Sequence, residues 1–223
     1  MSIENPKPLI VWPPRDAVSA ISHFAGFLLA IAGTCVLLVR GSKIGGALYA
    51  ASFAIFGAAM MLLYLASATY HWLNLSERTT LILRKLDHAM IYILIAGTYT
   101  PICVIALSGL WGTSLLIAIW SLALGGIFLT FFYFQAPRWL TTGIYILMGW
   151  LVIIACVPLL HALSPAGFAW LVAGGVSYTL GGVIYGRKKS LINFPGFGFH
   201  EVFHMFVLGG SICHYMLMLA MVI

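Results

Sequence analysis

Charge is what this chain has least of. Only 7% of its 223 residues are charged, and acids number just five. A soluble domain of this size carries about a quarter charged residues, so a water-soluble enzyme or binding module is excluded. Polar stretches long enough for a second domain are also missing. Cysteine is sparse: Cys35, Cys103, Cys156 and Cys213 fall one each in four apolar runs. That spacing excludes a disulfide framework or a C-x-x-C metal site, leaving four small core residues. No cleavable leader is expected, because MSIENPKPLIVWPPRD is polar and proline-rich, without an apolar core.

Apolar residues take the place of charge. They make up 62% of the chain, and the mean hydropathy is +1.06. Crossing a bilayer as a helix takes about 20 apolar residues. Seven runs qualify: 18–39, 44–72, 87–107, 111–134, 141–163, 165–185 and 199–223. The expected fold is therefore an all-α integral membrane protein, a seven-transmembrane-helix bundle over 18–223 behind a tail at 1–17. Pro101 and Pro158 fall inside helices and are expected to bend them. Trp12, Trp72, Trp111 and Trp139 suit interfacial anchors near helix ends.

The net charge of +6 comes from basic residues in short loops, without the interleaved aromatics of a nucleic-acid surface. Their distribution sets topology. Lys7, Arg15, Arg78, Arg84, Lys85, Arg138, Arg187, Lys188 and Lys189 fall on one side, and Arg40 and Lys43 on the other. The positive-inside rule then puts the N-terminus in the cytoplasm and the C-terminus outside. This is the reverse of a G-protein-coupled receptor. A bacterial inner (plasma) membrane is the expected location.

Ionisable groups within a spanning helix are costly, and they are usually paired or functional. Glu4 and Asp16 are read as tail residues and Glu77 as a loop residue, which leaves Asp87 and Glu201. The expected topology brings His71, Asp87, His88, His200, Glu201 and His204 to one depth at the cytoplasmic side. His161 and His214 are placed toward the outer side. His200 and His204 are four apart and share a helix face, as do Ser67 and His71. Three histidines with an open position form a common catalytic zinc shell, and zinc would bring the pKa of a bound water to about 7. Asp87 could orient that water or take its proton, or it could simply cap a helix. Ser67 could hydrogen-bond a ligand or the water, or bond back to its own helix. His200 to His204 also reads H-E-x-x-H, in which Glu201 would be the base. One acid suffices, and the residues alone do not rank Asp87 against Glu201. His23 and His88 are read as interface residues.

Four stretches carry a family resemblance: A-I-S-H-F (20–24), S-A-T-Y-H-W (67–72), R-K-L-D-H-A-M-I-Y-I-L-I-A-G-T-Y-T-P (84–101) and F-H-E-V-F-H-M-F-V-L-G-G-S-I-C-H (199–214). Together they resemble the haemolysin III-related branch of the progestin and adipoQ receptor (PAQR) superfamily. The resemblance implies seven helices with a cytoplasmic N-terminus. It implies zinc (Zn2+) held by His71, His200 and His204, with Asp87 holding the zinc-bound water and Ser67 as the motif serine. Glu201 belongs to the bacterial-type pattern. The superfamily is similar to alkaline ceramidases, and its bacterial members are linked to haemolysis and to membrane-fluidity or energetic homeostasis.

The expectation is thus a zinc-dependent membrane hydrolase acting on a lipid amide or ester. Its alternative is a non-enzymatic homeostasis factor or haemolysin in which zinc staples helices together. An intramembrane metalloprotease and a transporter are further readings. Membrane lipids are the expected partners, with self-association left open and no nucleic acid.

Overall fold

The computed structural model describes residues 14–107, 109–133, 135–189 and 197–223. Lys7, Trp12 and most of the expected tail lie outside them. The elements are α1 (Ala17–Trp72), α2 (Glu77–Pro101), α3 (Gly109–Phe132), α4 (Arg138–Trp150), α5 (Cys156–Ala162), α6 (Pro165–Arg187) and α7 (Phe199–Ala220). A π-helical turn, Ile102–Ala106, prolongs α2, and a 3₁₀ segment, Leu151–Ala155, joins α4 to α5. Among the described residues six helices are long and apolar enough to cross a membrane, counting α2 with its π turn and α4 with α5 as one each. Only a structure that satisfies its own backbone can sit in lipid. Thr34, Thr98 and Thr130 follow the same rule, each donating its hydroxyl to the carbonyl four residues earlier.

The sequence boundaries need three corrections. Residues 40–43, expected as a loop, are helical. The sole break in α1 is Gly46, at φ 62° and ψ −147°, a region open essentially to glycine alone. The two arms of α1 fold back on each other about that point: a Cβ on Gly57 would collide with Thr34, and one on Gly41 with Phe53. At the far end of the arms the Asp16 N–H donates to the His71 carbonyl at 3.1 Å. Second, α2 starts ten residues before the expected Asp87. Ser76 caps it, accepting the Thr79 N–H at 3.4 Å, so Asp87 lies inside the helix and is not its cap. Third, α7 ends at Ala220 rather than 223.

Both prolines mark departures from α-geometry, as their missing N–H requires. Pro101 precedes the π turn. Pro158 leaves the Ile154 carbonyl without its helical donor, and Ile154 lies in the 3₁₀ segment. A single side chain steadies that segment. The Tyr99 hydroxyl accepts from the Val152 N–H at 2.8 Å and donates toward the carbonyls of Met148 and Gly149 at 2.9 and 2.8 Å.

The core runs the length of the bundle through Leu37, Phe53, Phe56, Tyr92, Ile119, Met148 and Leu217. Helix α7 packs chiefly against α6 and α1, and α2 against α1 and α3. This packing gathers the start of the first α1 arm, the end of the second, the starts of α2, α4 and α7 and the ends of α3 and α6 at one end of the bundle. Gly46 lies at the other.

Candidate metal centre

The first turns of α7 carry His200 and His204 on one face, as their four-residue spacing requires. The last turn of α1 carries His71, with Ser67 one turn before it. Because α7 packs against α1, the three imidazoles converge: one ring nitrogen from each lies within 4.8 Å of the others. His71 Nε2 is 3.1 Å from His200 Nε2. Ring centroids are 5.0 Å apart for His71 and His204 and 4.6 Å for His200 and His204. His71 and His204 are buried, and His200 is half-buried. Two imidazole nitrogens facing each other at 3.1 Å call for a proton or a cation between them.

The orientation of His71 has a visible cause. Its Nδ1 lies 2.9 Å from Asp16 Oδ2. An ionised Asp16 accepts the Nδ1 proton, and the lone pair of His71 is then on Nε2, aimed at the other two rings. Arg15 clamps Asp16 in turn, donating from Nε to Oδ2 at 3.2 Å and from Nη2 to the Tyr70 carbonyl at 2.7 Å. The bond to His71, and to a lesser degree Arg15, holds the Asp16 carboxyl below the usual carboxylate range. Asp16 therefore belongs to the site, although the sequence places it in the tail. Its signal is an acid directly before an apolar helix, which reads as an N-cap. Here the side chain makes no cap hydrogen bond.

Glu201 does not reach the triad. Its Oε2 accepts the Gly198 N–H at 2.8 Å, and its Oε1 accepts the Ser19 hydroxyl at 3.3 Å. Both oxygens are engaged in tying the start of α7 to the start of α1. His23 does join the cluster, stacked on His204 with centroids 3.8 Å apart. Both His23 nitrogens are buried without a hydrogen-bond partner, as are Ser67 Oγ and His204 Nδ1.

Asp87 and Ser67 stand in the wall of a cavity that also exposes His23, His88, His200 and His204. It spans about 1090 Å³ including its mouth. Beyond the polar end its walls are mainly apolar, with Leu63, Ile91, Leu94, Ile95, Phe203 and Val207. Such a cavity, polar at one pole and apolar along its length, accommodates an amphipathic molecule better than a hydrophilic one. His214 lines it farther along α7, donating from Nδ1 to the Gly210 carbonyl at 2.8 Å. His161 stays apart from the triad, in the last turn of α5. All four cysteines are free thiols.

The haemolysin-III related family matches residues 12–215. The chain is 43% identical over 197 residues to a protein named hemolysin-3 homolog from Bacillus subtilis (strain 168), covering 88% of this chain and 89% of that protein. It is 39% identical over 197 residues to hemolysin-3 of Bacillus cereus, covering 88% and 87%. With its six long apolar helices, this chain belongs to the haemolysin III-related family of multi-pass membrane proteins, within the PAQR superfamily.

Proposed function

We propose that this protein is a zinc-dependent membrane hydrolase cleaving an amide or ester bond in a lipid, in the service of membrane homeostasis. The observation that carries the reading is the convergence of His71, His200 and His204, with His200 and His204 lining a largely apolar cavity.

The donor set fits the metal. Nitrogens about 2.0–2.1 Å from a tetrahedral ion lie about 3.3 Å from one another, close to the 3.1 Å between His71 and His200. Asp16 behind His71 supplies the carboxylate that commonly backs a zinc-bound imidazole. When bound, zinc supplies a Lewis acid and makes water nucleophilic near neutral pH.

The chain's own residues supply the rest. Asp87 is the acid on the cavity wall and accepts the proton of the attacking water at a carboxylate oxygen. Ser67 orients that water or the scissile carbonyl through its buried hydroxyl on the cavity wall. The apolar walls hold the lipid chain and exclude bulk water. Glu201, with both oxygens engaged, is not the base, and this disfavours the H-E-x-x-H protease reading.

A topology goes with this reading. An unbroken 56-residue helix would be about 84 Å long, against a hydrocarbon core of about 30 Å. The arms of α1 are then separate crossings about Gly46, which makes seven spans in one domain over 18–223 behind a cytoplasmic tail at 1–17. Arg15, Arg78, Arg84, Lys85, Arg138, Arg187, Lys188 and Lys189 cluster at the histidine end, so this end faces the cytoplasm and the C-terminus lies outside. The membrane is the bacterial inner membrane, and membrane lipids are the substrates and neighbours.

The test is fatty-acid release from ceramide and from phospholipid by the purified protein. Release should stop on chelation, return with zinc, and be absent in His71→Ala. Turnover that survives in His71→Ala would overturn the proposal. Bound zinc without turnover on any lipid would leave the metal as a helix staple.

A further inference from the structure

A second pocket opens at the histidine end, between α2, α3, α4 and α6, with about 1150 Å³ of space including its mouth. Two guanidiniums line it. Arg84 comes from the part of α2 before the triad's depth, and Arg138 is the first residue of α4. Tyr133, Gln135 and Thr141 add hydroxyl and amide groups to the wall. No carboxylate lines it among the described residues; Asp87, which interacts with Arg84, lines the adjoining cavity instead.

Topology explains basic residues near the cytoplasmic face, but not why two of them line one pocket. Arg138 is half-buried, with its guanidinium 5.3 Å from the centre of the Tyr185 ring. This contact holds the side chain against the pocket wall. Lys85, next to Arg84, donates to the Phe131 carbonyl at 2.9 Å and so adds positive charge at the end of α3. The start of α4 has no side-chain cap, and the positive end of its dipole adds to the field. Two guanidiniums, with the Tyr133 hydroxyl and the Gln135 amide as further donors, match the oxygens of a phosphate.

This pocket adjoins the triad's cavity. His88, Tyr145 and Tyr185 line both, and the Tyr145 hydroxyl donates to the His88 carbonyl at 3.1 Å in the shared wall. From these observations we infer that the Arg84–Arg138 pocket binds a phosphate group, placing it beside the cavity that holds the apolar chain. The lipid drawn to the site is then a phospholipid or lysophospholipid, because a neutral headgroup makes no use of this positive field. The identity of that lipid as substrate rests on the hydrolase reading, whereas the phosphate chemistry of the pocket does not.

The experiment measures binding with zinc chelated, so that it reports the pocket whether or not the protein is a hydrolase. The purified full chain in neutral detergent is titrated with oleoyl lysophosphatidic acid and with monooleoylglycerol, which differ by the phosphate. The phosphorylated lipid should bind at least about tenfold more tightly. Arg138→Gln and Arg84→Gln should each remove most of that advantage, and the exposed Lys189→Gln should keep it. Arg138→Lys retains the charge without the fork and should keep part of it; it also serves if Arg138→Gln does not fold. Competition by millimolar inorganic phosphate would assign the pocket to a soluble phosphate, and its absence to a lipid headgroup. Equal affinity for the two lipids, or an advantage undiminished in the folded arginine variants, would overturn the inference.

Discussion

Asp16 shows how much of the proposed metal site would depend on a residue that touches no metal. Its carboxylate sets which nitrogen of His71 is available, and removing such a partner typically costs 10–100-fold in metal affinity. Asp16→Asn should therefore weaken zinc binding by about that factor in a competition assay with a fluorescent chelator, and Asp16→Glu should recover part of it. An unchanged affinity in Asp16→Asn would mean that His71 is oriented by its packing alone. The two acids first weighed as bases should also part. Asp87→Asn should abolish lipid turnover. Glu201→Gln should leave it near wild type while lowering the unfolding midpoint, since a cap is worth about 1 kcal/mol. The three converging histidines were legible in the sequence, because four-residue spacing on a helix is a local rule. Asp16 and Ser19 were not. Their partners, His71 and Glu201, lie 55 and 182 residues away, and no local rule reaches that far.

At the scale of the element, apolar runs marked where lipid-facing helix lies but not where helix stops. Residues 77–86 carry Arg78, Arg84 and Lys85, so their composition resembles a loop. Their helix is nucleated by the Ser76 cap and continues past the apolar stretch. The same error fell at Gly41 and Lys43, where glycine and charge suggested a loop and the chain stays helical to Gly45. The reversal uses Gly46 alone. A Cβ there would meet nothing within 4 Å, so any penalty of substitution comes from the backbone. Gly46→Ala should thus cost about 1–3 kcal/mol, seen as a lower thermal midpoint in detergent. Gly125→Ala, in a helical position whose Cβ also meets nothing within 4 Å, should not lower it. Equal midpoints for Gly46→Ala and wild type would show that the arms can separate at another residue.

For the molecule as a whole, the ion would act as a tie between the first helical pair and the last helix. A ligand that binds only the folded state adds about 2.7 kcal/mol when free at 100 times its dissociation constant. Chelation should therefore lower the unfolding midpoint of the wild type and leave that of His204→Ala unmoved. A chelator that shifts both equally would be acting elsewhere.

The arrangement of the triad also governs when it can exist. His71 is in place, and turned the right way by Asp16, as soon as the opening hairpin has formed. His200 and His204 arrive only with α7, after every other span has been made. A nascent or truncated chain accordingly holds a single correctly presented imidazole, too few to keep an ion. Whatever reactivity the finished centre has, the order of synthesis withholds it until the bundle around it is closed.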